Sequence, residues 1–498
     1  MDKRQVLQSI TFGQRIAEDE VDDLSSYFVE TNQWQHIFAG DVDIVYGAKG
    51  AGKSAIYSLL LNRQQELAEK RIMVIPAENP HGDTVFKELV DNQPDITEQQ
   101  LYNLWKLYFL SLVADQLRKA GIIDSKLKKV IKTLGDANVL PKDTSLSKLL
   151  RSAVDYVRRL FPVESVQGGV VLPGMPVGVT GKISFHEPNT AQQSLGVVSV
   201  DELLKDINKI LEQSRLKVWV LLDRLDVAFA ESKKLEHNAL RALFRVYNDL
   251  RALDNVCFKI FLRSDIWRLI TIQGFAGASH ITRTVTISWD EKSLLNLVMR
   301  RALNNQGLRE YYNASHDEIL SSEQKQSSLF YRIFPTQVVK GSSRASTFKW
   351  LLTQTQDASG QTAPRELIHL LTCACKSQLQ TLEVGGSEPQ GEVMFEAPAL
   401  KAALPEVSIT RYQQTLLAEF PKSRQWLEKL DGQKTEQTAE SLATLWKITK
   451  EEALVHAREL VEIGFFKERR PRSTRGESTF WVPFLYRDAL KMIQGSAK

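Results

Sequence analysis

The sequence predicts an α/β protein. A parallel sheet is built round a phosphate-binding loop, interrupted by a helical insertion, and followed by an α-helical lid and a C-terminal winged helix. Three observations predict this. Residues 47–54 read Gly-Ala-Lys-Gly-Ala-Gly-Lys-Ser between an apolar strand and an apolar helix. Leu216–Leu222 is apolar but for Lys217 and is closed by Asp223. Near the C-terminus, two short helical patterns precede two strand patterns that flank a basic turn.

The loop fits G-x-x-x-x-G-K-[ST] at every fixed position, the mark of a P-loop NTPase sheet. Asp41–Tyr46 reads as the strand before it and Ala55–Leu61 as the helix after it. Gly47, Gly50 and Gly52 allow backbone angles that a Cβ would forbid, so successive N–H groups can face phosphate oxygens. The helix start adds partial positive charge. Gly47, Gly50, Ala51, Gly52, Lys53, Ser54 and Ala55 are therefore the expected ATP-binding residues. Lys53 is expected at the β- and γ-phosphates and Ser54 on Mg²⁺. The competing reading is a glycine-rich turn that matches by chance, and the flanking strand and helix argue against it.

At 498 residues the chain is too long for one core and calls for two to four domains. A 25% charged, 43% hydrophobic composition is that of an ordinary globular protein. A net charge of +4 is small for this length, so any nucleic-acid surface must be a local patch. The three cysteines, Cys257, Cys373 and Cys375, form neither a disulfide framework nor a zinc set by spacing, and read as buried reduced thiols. No N-terminal apolar leader and no run of about 18 apolar residues occurs, so a cytoplasmic protein without a membrane partner is expected.

The elements follow in order. Residues 1–40 read as a helical lead-in. Arg71–Pro76 is the next strand, as a βαβ unit requires. Residues 98–160 are helical by pattern, and the Gly/Pro-punctuated residues 166–182 read as a hairpin or mobile loop. Leu216–Asp223 is the strongest strand; its uniform apolarity suits a central parallel position with the acid at the C-terminal edge. Asp223 suits Mg²⁺ binding through water. Asp226 either polarises the attacking water or caps a helix, and the sequence leaves both open. Val256–Leu262 is a further strand. It ends in Arg263-Ser264-Asp265, where Arg263 is a candidate sensor of the γ-phosphate; the alternative is an ion pair with Asp223 or Asp226. Arg283–Trp289 alternates as a last strand.

From Asp290 the pattern turns helical. Pro364 suits a first helical turn, which puts Arg365 at a helix start. Residues 386–397 read as a linker. Thr449-Lys450-Glu451-Glu452 is a capping box opening a helix that Gly464 stops. Phe465–Lys467 and Thr479–Pro483 read as strands around Lys467, Arg469, Arg470, Arg472 and Arg475. Five cations on a hairpin tip suit phosphate contacts without sequence choice. The alternative is docking on the ATPase core or on a protein.

Taken together, these residues resemble the AAA+ and STAND groups of P-loop ATPases. Gly47–Ser54 matches Walker A, Val218–Asp226 Walker B, Lys259–Asp265 sensor 1, and Ala363–Leu367 a lid motif of sensor 2 type with Arg365 as its arginine. The Leu-Leu-Asp-Arg-Leu-Asp and Phe-Leu-Arg-Ser-Asp strings are similar to a group of bacterial P-loop ATPases found in phage-defence and mobile loci. The resemblance implies an additional strand between the two Walker strands, ATP and Mg²⁺ at the sheet's C-terminal edge, and a winged helix after the lid. It implies an ATP-hydrolysing switch that oligomerises or rearranges its domains, in anti-phage defence or DNA transactions. A homo-oligomer, an effector protein from a neighbouring gene and non-specific DNA are the expected partners. A DNA-binding regulator with little hydrolysis is the alternative, because Arg224 stands where the second Walker B acid belongs. A small-molecule kinase ranks below both. No arginine finger is assigned among Arg283, Arg300 and Arg301, for each of which a salt bridge is the plainer reading. The expected domains are 1–40 lead-in, 41–290 core with an insertion over about 98–205, 291–395 lid and 396–498 winged helix.

Overall fold

The computed structural model describes residues 2–14, 20, 24–78, 96–140, 145–160, 183–225, 233–272, 274–470 and 477–497. The chain divides into two compact units. One comprises Asn32–Ala48 and Lys53–Ile287; the other comprises Met1–Thr31, Lys49–Gly52 and Ser288–Lys498.

The first of these holds a five-stranded parallel sheet. Its strands are β1 (Ile44–Gly47), β2 (Ile72–Pro76), β3 (Lys217–Leu222), β4 (Val256–Arg263) and β5 (Thr284–Thr286), in the order β2-β3-β4-β1-β5. β4 is thus the additional strand between the two Walker strands. β3 is buried along Val218–Leu222, as its unbroken apolarity requires of a strand covered on both faces. Helix α1 (Lys53–Asn62) follows the loop. The long helix α2 (Glu98–Lys119) opens with a capping box between Thr97 and Gln100. It is buried nearly all round and packs as a central helix with α3 (Val200–Gln213) and α4 (Lys233–Leu250). Its one buried acid, Asp115, is met by Arg118 at 2.5 Å and Lys119 at 2.8 Å. Helix α5 (Ser264–Ile272) continues directly from β4. The Gly/Pro-punctuated stretch 166–182 lies outside the described residues.

Two strands are shorter than the sequence suggests. β1 is regular from Ile44, with the Asp43 N–H donating to the Arg283 carbonyl at 2.9 Å and its carbonyl accepting from Ile260 at 2.8 Å; the Asp43 carboxylate accepts from Tyr247 Oη at 2.9 Å and pairs with Arg283 Nε at 3.2 Å. β5 stops at Thr286, where the Ile287 N–H makes the last bond to β1, on the Tyr46 carbonyl.

Beside Asp43 lies Lys259, wholly buried in β4. Its ammonium donates to the Val42 carbonyl, sits 3.9 Å from Asp43 and lies 4.2 Å over the Trp219 ring. Burial lowers its pKa to about 8, only partly opposed by the Asp43 charge. Between pH 8 and about 10.5 the unfolded chain keeps a proton that the folded chain has released, so stability rises with pH across that window. Lys259→Met should abolish this component. Urea unfolding of both proteins at pH 7, 9 and 10.5 should give a stability difference that shifts in favour of the wild type by up to about 3 kcal/mol as pH rises. A pH-independent difference would mean that Lys259 titrates normally.

In the second unit, α6 (Glu291–Asn304) is capped by Asp290 and Ser293. Helix α7 (Pro364–Glu383) carries Pro364 in its first turn and packs on α8 (Leu404–Arg411). Arg301 of α6 makes a buried bidentate pair with Glu20, at 3.1 and 2.9 Å. The C-terminal part has β6 (Lys434–Thr438), α9 (Ala439–Trp446), α10 (Lys450–Glu462), β7 (Lys467–Arg469), β8 (Thr479–Trp481) and β9 (Ile493–Ser496), with sheet order β9-β6-β8-β7. Two helices followed by the antiparallel β7–β8 hairpin make the winged helix. Thr449 and Glu452 form the capping box of α10. Gly464, at φ +79°, turns the chain; Phe465 and Phe466 are then spent on the core, so pairing begins only at Lys467.

Candidate nucleotide site

Parallel strands present their C-terminal ends at one edge, and three elements meet there. Gly47 ends β1 and is registered with Arg263, the last residue of β4; Asp223 directly follows β3. The loop between β1 and α1 turns through Gly50 at φ +80° and Gly52 at φ +101°, angles that L side chains rarely adopt. Ser54 stands second in α1 and Ala55 third. Lys53 opens α1 and donates to the carbonyls of Gly47 and Ala48, both at 3.0 Å.

Asp223 is buried. Arg224, next to it, adopts φ +54°, an uncommon angle for a side-chain-bearing residue and one that clusters at functional sites. Arg263 forks onto Asp265, Nε to Oδ1 at 3.1 Å and Nη2 to Oδ2 at 2.7 Å. Burial alone would raise the Asp265 pKa. The Arg263 hydrogen bonds and charge, with help from Lys53, outweigh it and hold the carboxyl below the usual range. Asp226 lies outside the described residues.

Two acids at this edge escaped the motif search. Asp265 is one. The other is Glu78, wholly buried two residues beyond β2. Pro76 is registered with Leu221 and Ala77 donates to the Leu221 carbonyl at 2.9 Å, so Glu78 comes abreast of Asp223. Burial chiefly, then the charges of Glu78 and Asp223, push the Tyr57 phenol of α1 upward; Arg224 opposes them. The signal was present in the sequence: an acid just past an apolar strand, the same pattern that singled out Asp223.

The loop tip, residues 49–52, packs within the other unit. Lys49 pairs with Glu419, the Trp289 indole N–H donates to the Ala51 carbonyl at 2.8 Å, and a Cβ at Gly50 would lie 3.1 Å from that of Arg365. Arg365 is the second residue of α7.

On the wing, Lys467 and Arg470 are exposed. Arg469 is partly engaged: it lies 4.7 Å over the Trp481 ring and 3.5 Å from Glu436. Arg470 lies 3.8 Å from Glu468. Arg472 and Arg475 lie outside the described residues.

No family model matches the chain. It is similar to the "Putative transposon gamma-delta 80.3 kDa protein" of Escherichia coli (strain K12), 22% identical over 306 residues, which are 59% of this chain and 39% of that protein. The chain thus spans about two fifths of that relative's length. Among solved structures it is similar to the Aeropyrum pernix ORC1 protein in complex with DNA, at 12% identity, 96% coverage of each chain and a TM-score of 0.37. It is also similar to the Aeropyrum pernix ORC2 protein in ADPNP-ADP complexes, at 12% identity, 93% coverage of each chain and a TM-score of 0.43. At such scores the likeness carries no functional argument, and the fold rests on the chain's own strand order. Among the described residues, no helix is long and apolar enough to cross a membrane.

Proposed function

We propose that the chain is an ATP-binding and hydrolysing switch of the AAA+/STAND kind. It would act in DNA transactions or anti-phage defence through nucleotide-dependent oligomerisation or domain rearrangement. The observation that carries this reading is the single sheet edge where the loop of residues 47–54, Asp223 and Arg263 converge.

The residues suit ATP and Mg²⁺. Gly50 and Gly52 hold positive-φ angles of the kind that let backbone N–H groups face a phosphate, and α1 starts directly behind them. The Ser54 hydroxyl and Asp223 carboxylate are the hard oxygen donors that Mg²⁺ takes. Bound Mg²⁺ would neutralise charge on the phosphate oxygens. Lys53 exchanges its two carbonyl partners for phosphate oxygens. Asp265 keeps the Arg263 guanidinium in one orientation, the property a sensor requires. Arg365 keeps its lid role on the strength of its position at the start of α7. Glu78 answers the objection raised by Arg224: a second carboxylate stands beside Asp223, supplied by β2 rather than by Walker B. Asp226 is its rival for the water-orienting role.

A DNA-binding regulator with little hydrolysis is the second reading, and Arg224 favours it. Steady-state phosphate release with and without duplex DNA separates the two. Sustained turnover supports the switch, tight ATP binding without turnover supports the regulator, and phosphate appearing on an added metabolite supports a kinase.

The exposed wing cations support non-specific DNA contact. Arg469 is a poor probe because it also holds Trp481 and Glu436. Changing Arg470, Arg472 and Arg475 together to Ala should weaken duplex binding uniformly across sequences. Each lost phosphate contact should lower the log–log salt slope by about 0.9. Equal affinity and equal slope in variant and wild type would make the wing a protein-contact element.

A further inference from the structure

We propose that His369, Cys373 and Glu406 form a binding site for a zinc-class divalent metal ion. His369 and Cys373 are four residues apart on α7, hence on one face one turn apart. Glu406 comes from the first turn of α8, packed against that face. One ligand atom from each lies within 4.8 Å of the other two, and His369 Nε2 is 3.9 Å from Glu406 Oε1.

Three features distinguish this group from a chance ion pair. The ligand atoms are an imidazole nitrogen, a thiol sulfur and a carboxylate oxygen, the mixed set that zinc accepts and that Mg²⁺ and Ca²⁺ do not. The two helices are already fixed against each other. Arg411 of α8 meets Glu366 of α7 at 2.8 Å in a buried pair, and Arg411 Nε reaches Tyr486 Oη at 3.5 Å. Burial disfavours the Arg411 charge, but Glu366 and Tyr486 outweigh it and keep it firmly protonated. The ligands therefore sit on rigid elements rather than on loops. Burial is also graded. Cys373 is 4% exposed, the His369 side chain 13% and that of Glu406 58%, so two inner ligands lie behind one at the mouth.

Zinc bonds of about 2.0–2.3 Å call for ligand atoms slightly closer than those here, and the exposed Glu406 side chain can close the gap by rotation. Three protein ligands leave a fourth position, at the Glu406 side, for water. Metal binding displaces the Cys373 thiol proton to solvent and would tie α7 to α8 a second time, one turn from the Glu366–Arg411 pair. The cysteine spacing hides this site because two of its three ligands are not cysteines. The proposal is independent of nucleotide chemistry.

The test uses the full chain stripped with a chelator and titrated with Co²⁺, then Zn²⁺. The expected result is a near-ultraviolet thiolate-to-cobalt charge-transfer band that saturates at one equivalent and is erased by Zn²⁺. Cys373→Ser should remove the band, and Cys257→Ser should leave it. Glu406→Gln, at an exposed position that folding tolerates, should weaken Zn²⁺ at least about tenfold, since even indirect partners of a metal cost that much. His369→Gln should do the same. Should Cys373→Ser not fold, these two variants decide the matter. Absence of the band in the wild type, or a band and affinity unchanged in His369→Gln and Glu406→Gln, overturns the proposal.

Discussion

Lys53→Ala is expected to lower ATP affinity or turnover by at least about 100-fold, the order seen when one preorganised charge-stabilising donor is removed. Lys53 opens α1, and its amine lies on the Gly47 and Ala48 carbonyls, within reach of the loop's concave side. Two backbone acceptors at 3.0 Å keep the cation extended over the loop rather than in solvent. The variant should fold and melt like the wild type. Truncation removes the cation that the loop itself would bring to the β- and γ-phosphates. Fluorescent-nucleotide binding and phosphate release measure both quantities. Normal values for both in a folded Lys53→Ala protein would sink the nucleotide assignment, and Arg263 and Asp223 would then need another ligand.

Much of the sheet was legible because its signals are local. The loop has fixed glycines, and β3 and β4 are mainly apolar runs without the polar alternation of a half-exposed strand. The winged helix was legible from the Thr449/Glu452 capping box and the Gly464 stop. The strand order was not contained in any one segment. Only the resemblance implied that β4 would lie between β1 and β3. What could not be read were long-range polar choices. Arg263 had three nearby acids within reach of its sequence position, and the fork onto Asp265 is decided by how α5 leaves β4. Asp43 pairs with Arg283, which lies 240 residues on (283 minus 43). Glu78 had the same local pattern as Asp223, but its importance depends on the β2–β3 register that sets the two abreast.

Glu78→Gln is therefore expected to leave Mg²⁺–ATP affinity near wild type while slowing hydrolysis by roughly 10²- to 10⁴-fold, the range for loss of a positioned acid–base group. Gln keeps the volume and the hydrogen-bonding capacity of a wholly buried side chain, so packing beside Tyr57 and Tyr108 survives. Asp223→Asn should behave differently. Its loss should weaken binding in proportion to Mg²⁺, because it acts on the ground-state complex as much as on the reaction. Asp226→Asn completes the comparison. Three outcomes are distinguishable by single-turnover hydrolysis with saturating ATP. If Glu78→Gln alone stalls, the second acid comes from β2. If Asp226→Asn alone stalls, Walker B supplies it two residues late and Glu78 is a buried structural acid. If both stall, the two carboxylates orient one water from opposite sides of Asp223, and the double variant should be no slower than the slower single one.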